Sequence, residues 1–176
     1  MIKIIGKKVS LREIGKQDAE FIARYAADKE ISKFTLIPYP YAKKDALDFL
    51  ELIEKEKKEN SSLHLGIEYN DHIVGMIGLN TVNHQHQRAE LGYWLGKDFW
   101  GMKIMTEAIG LFVPFCFDQA KLERIYAYVE PENISSWKLL ESCGFEREGL
   151  LKKHFRKHDK QYDCYMYGFT KEMLNE

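Results

Sequence analysis

Residues 88–108, R-A-E-L-G-Y-W-L-G-K-D-F-W-G-M-K-I-M-T-E-A, constrain this chain more than any other stretch. The first part, 89–95, is dense in apolar and aromatic residues and reads as a strand. It breaks at Gly96-Lys97-Asp98, turns at Trp100-Gly101, and continues into Ile104, Ala108, Leu111, Phe112 and Phe115 at helical spacing. A strand, a tight loop and a helix start thus follow one another directly. Because a helix N-terminus carries unpaired N–H groups and a partial positive charge, such a loop makes a phosphate cradle.

On the N-terminal side, Ile4, Ile5, Val9 and Leu11 predict a first strand ending near Ile14, with a turn or bulge at Gly6-Lys7-Lys8. Ala19, Ile22, Ala23 and Ala26 predict a helix capped by Asp18 and ending near Asp28. Residues 34–41 hold two prolines and several large apolar groups, among them Phe34, Tyr39 and Tyr41, so an irregular loop is expected. That loop is either a lid on the core or a wall of a pocket. A second amphipathic helix follows, through Ala46, Leu47, Phe49, Leu50 and Ile53, and runs out into a mixed-charge end. Asn70-Asp71-His72 between two apolar runs indicates a tight hairpin, and the 89–95 strand returns beside it.

Beyond the central stretch, a helix should reach about Ala120, with Pro114 forcing a kink or an early end. A strand over 122–129, a short helix stopping at Gly144, and a last antiparallel pair at 145–151 and 162–169 complete the chain. The order β-α-α-β-β-β-α-β-α-β-β is α+β with a mostly antiparallel sheet. Only the step from the 89–95 strand to the 122–129 strand has the length for a parallel crossover.

Composition narrows the function classes. The 176 residues, 45% hydrophobic and 13% aromatic, suit one domain spanning 1–176. Lys plus Arg number 26 against 27 Asp plus Glu, which gives no whole-molecule pull toward nucleic acid or anionic membrane. No apolar run approaches the roughly 18 residues of a spanning helix, and the N-terminus lacks a signal h-region, so a soluble, cytoplasmic protein is expected. Cys116, Cys143 and Cys164 are widely spaced among apolar neighbours and read as buried free thiols. His84 and His86 have no third ligand at suitable spacing, so no metal site is expected. The basic run 152–160 reads as a solvated hairpin, or as a device that steers acceptor or phosphate toward a cleft.

The element order, the stretch 89–108 and a second stretch, E-P-E-N-I-S-S-W-K-L-L-E-S-C-G-F at 130–145, resemble the GNAT superfamily of acyl-CoA N-acetyltransferases, in particular the branch related to ribosomal-protein N-terminal acetyltransferases. The resemblance covers essentially the whole chain. It implies a GNAT-like mixed sheet with a splayed parallel pair and helices on both faces. It also implies acetyl-CoA as co-substrate, no metal, a primary amine acceptor (protein N-terminus or small molecule), and is compatible with a homodimer.

The family's pyrophosphate pattern Q/R-x-x-G-x-G/A falls on residues 98–103; Gly101 matches, while Asp98 and Lys103 depart from it. The resemblance thereby assigns coenzyme contacts to Trp94, Leu95, Trp100, Gly101, Met102, Lys103, Ile104, Met105, Thr106 and Asn133. It puts the general base at Glu90, an oxyanion donor near Trp94 or Leu95, and a partner for the thiolate at Ser136. Acceptor contacts are expected from Phe34, Tyr39, Tyr41 and His154. Each assignment has an ordinary structural counterpart: Glu90 as a strand-face residue paired with Arg88, Gly101 as a turn glycine, Thr106 as a surface residue, Asn133 as a helix cap and Ser136 as a first-turn hydroxyl. A non-catalytic acyl-CoA sensor or docking module is the competing reading.

Overall fold

The computed structural model describes residues 2–157 and 159–175; Met1, Glu176 and His158, the last within the basic run, lie outside the described residues. Among the described residues, eight strands form one sheet in the order β1-β2-β3-β4-β5-β6-β8-β7. The strands are β1 (Lys3–Ile5), β2 (Ser10–Arg12), β3 (Leu63–Tyr69), β4 (His72–Asn83), β5 (Arg88–Leu95), β6 (Arg124–Val129), β7 (Glu146–Lys157) and β8 (Lys160–Thr170). All neighbours are antiparallel except β5 and β6. The helices are α1 (Ala19–Ala26), α2 (Lys29–Phe34), α3 (Lys43–Lys58), α4 (Ile104–Gln119) and α5 (Ile134–Ser142). This is the expected α+β class.

Two apolar clusters place the helices on opposite faces. Ala19, Ile22 and Ala23 of α1 and Ala46, Leu50 and Ile53 of α3 pack with Ile73 and Met76 on one face. Ile104, Ala108, Phe112 and Phe117 of α4 and Leu140 of α5 pack on the other, with Leu11, Ile77, Leu91, Ile125 and Tyr167. The period-two alternation of the strands sends successive side chains into these two layers.

The β3–β4 turn is as expected, with Asn70 and Asp71 at φ 49 and 63, the signs a two-residue hairpin needs. At the end of α5, Gly144 has φ 87, and the Phe145 N–H donates to the Leu140 carbonyl while the Gly144 N–H donates to that of Glu141. That pair of bonds closes the helix in a Schellman motif.

Three local expectations are corrected. The N-terminal segment is a hairpin of two short strands, its turn closed by Gly6 N–H donating to the Val9 carbonyl at 2.9 Å. Asp18 makes no side-chain cap, because the Arg12 guanidinium takes both carboxylate oxygens, at 2.8 and 3.0 Å. The chain also folds α2 immediately after α1, capped by Asp28, whose carboxylate accepts from the Glu30 N–H at 2.8 Å; Phe34 therefore ends a helix instead of opening the loop. As expected, α4 runs nearly to Ala120, ending at Gln119 with Pro114 inside it. Pro114 and Gly110 both lie on its exposed side, so the carbonyl that loses its proline N–H partner can turn to water.

Among the described residues no helix is long and apolar enough to cross a membrane.

Candidate active site

The parallel pair β5–β6 is paired only at Arg88↔Arg124, Ala89↔Ile125 and Glu90↔Tyr126. Beyond Glu90 the strands separate, and a cleft of about 1190 Å³ opens at the splay and between the loops around it. Backbone direction in this gap follows from the antiparallel partner. Gly96 N–H donates to the Val74 carbonyl at 2.8 Å, and Gly75 lies opposite Leu95. Since amides alternate along a strand, Trp94 and Gly96 turn theirs to β4, while Tyr93 and Leu95 turn theirs toward the open side. The Leu95 carbonyl, on that same side, accepts from the Trp100 indole N–H at 2.7 Å.

Side chains alternate too. Ala89, Leu91, Tyr93 and Leu95 face α4 and α5, whereas Glu90, Gly92 and Trp94 face α1 and α3. The splay therefore joins two chambers on opposite sides of the sheet.

On the α4 side, the loop after β5 makes a 3₁₀ turn at Lys97–Phe99, and Gly101 (φ 76) and Lys103 (φ 60) both take the left-handed conformation before α4 begins. A left-handed backbone at 103 explains why a glycine suits that position and shows that the lysine is accommodated there at some conformational cost. Lys103 is exposed and is the N-cap residue of α4. Trp100, Gly101, Lys103, Ile104, Met105 and Thr106 line the cleft; Met102 is not among its walls. The side chains of Ile104 and Met105 are buried in the core, so what they present to the cleft is first-turn N–H groups without intrahelical partners.

Asn133 and Ser136, at the start of α5, also line the cleft. The Asn133 side-chain oxygen caps the helix, accepting from Ser136 N–H at 3.3 Å and from Ser135 Oγ at 3.2 Å. Ser136 Oγ lies 2.8 Å from the phenol oxygen of Tyr93. Burial pushes the Tyr93 phenol well above its ordinary pKa. Sequence reasoning passed over Tyr93, although its place among Ala89, Leu91 and Leu95 on one strand face marks it as a polar-tipped group pointing toward the second motif.

The opposite chamber contains Glu90. Its carboxylate accepts a long hydrogen bond, 3.5 Å, from Asn80 Nδ2. Asn80 sits in a bulge of β4 between Leu79 and Thr81, directly across from β5. The bulge inserts the extra residue beside Glu90, and the missing side chain of Gly92 leaves room for it: a Cβ there would meet Asn80 Nδ2 at 2.4 Å. Arg88 does not pair with Glu90; its guanidinium lies 5.9 Å over the ring of Tyr126. Burial raises the Glu90 pKa above the ordinary carboxylate value, partly opposed by the Asn80 hydrogen bond.

Phe34 and Tyr41 line this chamber, while Tyr39, 55% exposed, and His154 do not. His154 packs on Tyr128 with ring centroids 4.5 Å apart and the planes tilted by 46°, and Tyr128 and Phe155 are themselves walls of the cleft. Lys157, in the basic hairpin, also reaches the cleft, but its ammonium donates to the main-chain carbonyls of Ser32 and Lys33 at the end of α2. Among the described residues no three His, Cys, Asp or Glu converge as a metal-binding group.

Residues 8–146 match the family described as Acetyltransferase (GNAT) domain. The uncharacterized N-acetyltransferase p20 of Bacillus licheniformis is 32% identical over 167 residues, 94% of each chain. Among solved structures, the Microcin C7 self immunity acetyltransferase MccE in complex with acetyl-CoA and AMP superposes with a TM-score of 0.87 at 25% identity, over 94% of this chain and 93% of that one. Mycobacterium smegmatis RimJ, in complex with a CoA disulfide, gives 0.89 at 27% identity over 96% and 84%.

Proposed function

The chain belongs to the GNAT family of acetyltransferases, an acetyl-CoA-dependent N-acetyltransferase, and from that premise we propose that the splayed cleft transfers the acetyl group directly to an amine that enters on the Glu90 side. The N-acetyltransferase relatives leave the non-catalytic sensor without support. The observation that carries the reading is the end of β5–β6 pairing at Glu90, which opens a passage between a helix N-terminus on one face and a half-buried carboxylate on the other. The related structures that hold acetyl-CoA or a coenzyme A disulfide support coenzyme binding in the same cleft.

In this reading the pyrophosphate lies on the first-turn amides of α4, with the Lys103 ammonium and the Thr106 hydroxyl beside it. The acetyl thioester reaches into the splay. An amine with a pKa of roughly 8 to 10 arrives protonated, and Glu90 takes the proton directly or through a water. The nitrogen lone pair adds to the acetyl carbon. Of the two amides considered for the oxyanion, Leu95 is the better donor, because the alternation sends its N–H into the gap while that of Trp94 belongs to the β4 ladder. As the intermediate collapses, the C–S electron pair goes to sulfur, and Ser136 supplies a hydrogen bond to the thiolate. A covalent enzyme intermediate is disfavoured: Cys116 and Cys164 are buried, and burial pushes the thiols of all three cysteines up, which suppresses nucleophilic thiolate.

The acceptor is a primary amine of a protein N-terminus or of a small molecule. Carboxylates of Glu30, Asp45, Asp48 and Glu130 line the cleft alongside Glu90, so a cationic amine is favoured over an acidic one. The test is Glu90→Gln assayed by thiol release from acetyl-CoA across protein-peptide, polyamine and amino-sugar acceptors. We expect kcat to fall about 100-fold or more; an unchanged rate and pH profile would remove Glu90 from the role.

A further inference from the structure

We propose that Tyr93 is a positioning residue that locks the hydroxyl rotor of Ser136, so that the serine proton points at the sulfur of the coenzyme. This rests on the reading of Ser136 as partner of the departing thiolate.

A serine hydroxyl carries one proton and turns freely unless something holds it. At 2.8 Å, the Tyr93 and Ser136 oxygens share one hydrogen bond, and either could donate it. The surroundings decide the direction. The other acceptor within reach of the Tyr93 proton is the Ser136 carbonyl, at 3.5 Å, a poor bond. With the phenol as donor to Ser136 Oγ, a short bond forms and the serine keeps its own proton for another partner. That partner lies in the cleft, whose walls include both residues. The nearest helix carbonyl, of Asn133, already accepts from the N–H groups of Ser136 and Trp137.

Tyr93 holds the direction without giving up its proton. Burial raises its pKa, and the other titratable groups close to it, Cys143 and Tyr167, are likewise pushed up by burial and stay uncharged. During collapse the C–S bond breaks, the electron pair stays on sulfur, the amine proton has passed to Glu90, and the thiolate accepts the Ser136 hydrogen bond before taking a proton from solvent. Donation from Tyr93 polarises the serine O–H and strengthens that bond.

The consequence can be read without knowing the acceptor, from coenzyme A itself. A hydroxyl aimed at the sulfur stabilises bound thiolate, so the thiol of enzyme-bound coenzyme A should be more acidic than a free thiol near 8.5. The experiment titrates the ultraviolet thiolate absorbance of bound coenzyme A in wild type, Ser136→Ala, Tyr93→Phe and the double variant, with thermal melts to verify folding. Ser136→Ala is expected to lower the acid dissociation constant of the bound thiol about tenfold, and Tyr93→Phe about threefold, while adding Tyr93→Phe to Ser136→Ala changes nothing. If Ser136→Ala has no effect, the reading of Ser136 fails and this inference with it. If Ser136→Ala acts but Tyr93→Phe does not, or acts equally in both backgrounds, the inference is overturned and the role of Ser136 stands.

Discussion

Two single residues are exposed to direct tests. Lys103 holds φ 60 where a side chain costs about 1 kcal/mol relative to glycine. Lys103→Gly should therefore raise the melting temperature by roughly 2–4 °C, while loss of the ammonium weakens acetyl-CoA binding several-fold; Lys103→Ala should lose affinity without the gain in stability. Melting curves and coenzyme titrations of the two variants separate the backbone from the charge. Glu90 makes a prediction in pH. A base must be deprotonated to act, and burial has raised its pKa. The rate must then fall on the acid side at a pH above the ordinary carboxylate range, and Glu90→Gln should abolish that limb. A wild-type acid limb at the pKa of an exposed glutamate would contradict the burial argument.

At the scale of elements, the loop and the strand of the site are joined by one bond, from the Trp100 indole to the Leu95 carbonyl. Because the strand otherwise lacks a neighbour on its open side, this contact fixes the direction of the Leu95 peptide and, with it, the amide available to an oxyanion. Trp100→Phe keeps the ring and removes the donor. It should lower kcat about five- to tenfold, corresponding to roughly 1 kcal/mol for the bond, with a smaller change in protein stability. Equal losses in stability and rate would make Trp100 a packing residue only. The motifs of this region were legible in the sequence, since strand, loop and helix start follow one another locally. Asn80 was not, because it reaches Glu90 only through a bulge that depends on how β4 registers against β5.

For the whole molecule, Arg12 is the joint between the N-terminal hairpin, α1 and the sheet. Its guanidinium bonds buried Asp18 and also donates to Glu68 on β3 at 2.6 Å. Burial alone would raise the Glu68 pKa, but the bonds from Arg12 and Ser10 outweigh it and hold it at about 2. A carboxylate depressed in the folded state contributes stability that is complete above its unfolded pKa and is lost as pH falls from there toward about 2. Wild type should lose melting temperature steeply over that acid window, and Glu68→Gln should flatten the loss. Arg12→Ala, which strands a buried carboxylate, should cost about 3 kcal/mol at neutral pH.

The amino-acid sequence by itself determined the local grammar of this protein: apolar periodicity, the two-residue turn at Asn70-Asp71, the glycine stop at Gly144, and the two stretches that identify an acyl-CoA acetyltransferase. Those signals act between residues close in the chain, where spacing alone brings groups together. It did not foretell α2 or the division of the N-terminal segment into a hairpin, where short elements gain their stability from partners elsewhere. Only the tertiary structure decided which amide of β5 faces the gap, that Lys157 is spent on the end of α2, and that Tyr93 meets Ser136 across forty-three positions of chain. Those pairings depend on strand register and on the side of the sheet each helix covers, and a register shift of one residue would exchange every side chain between the two chambers.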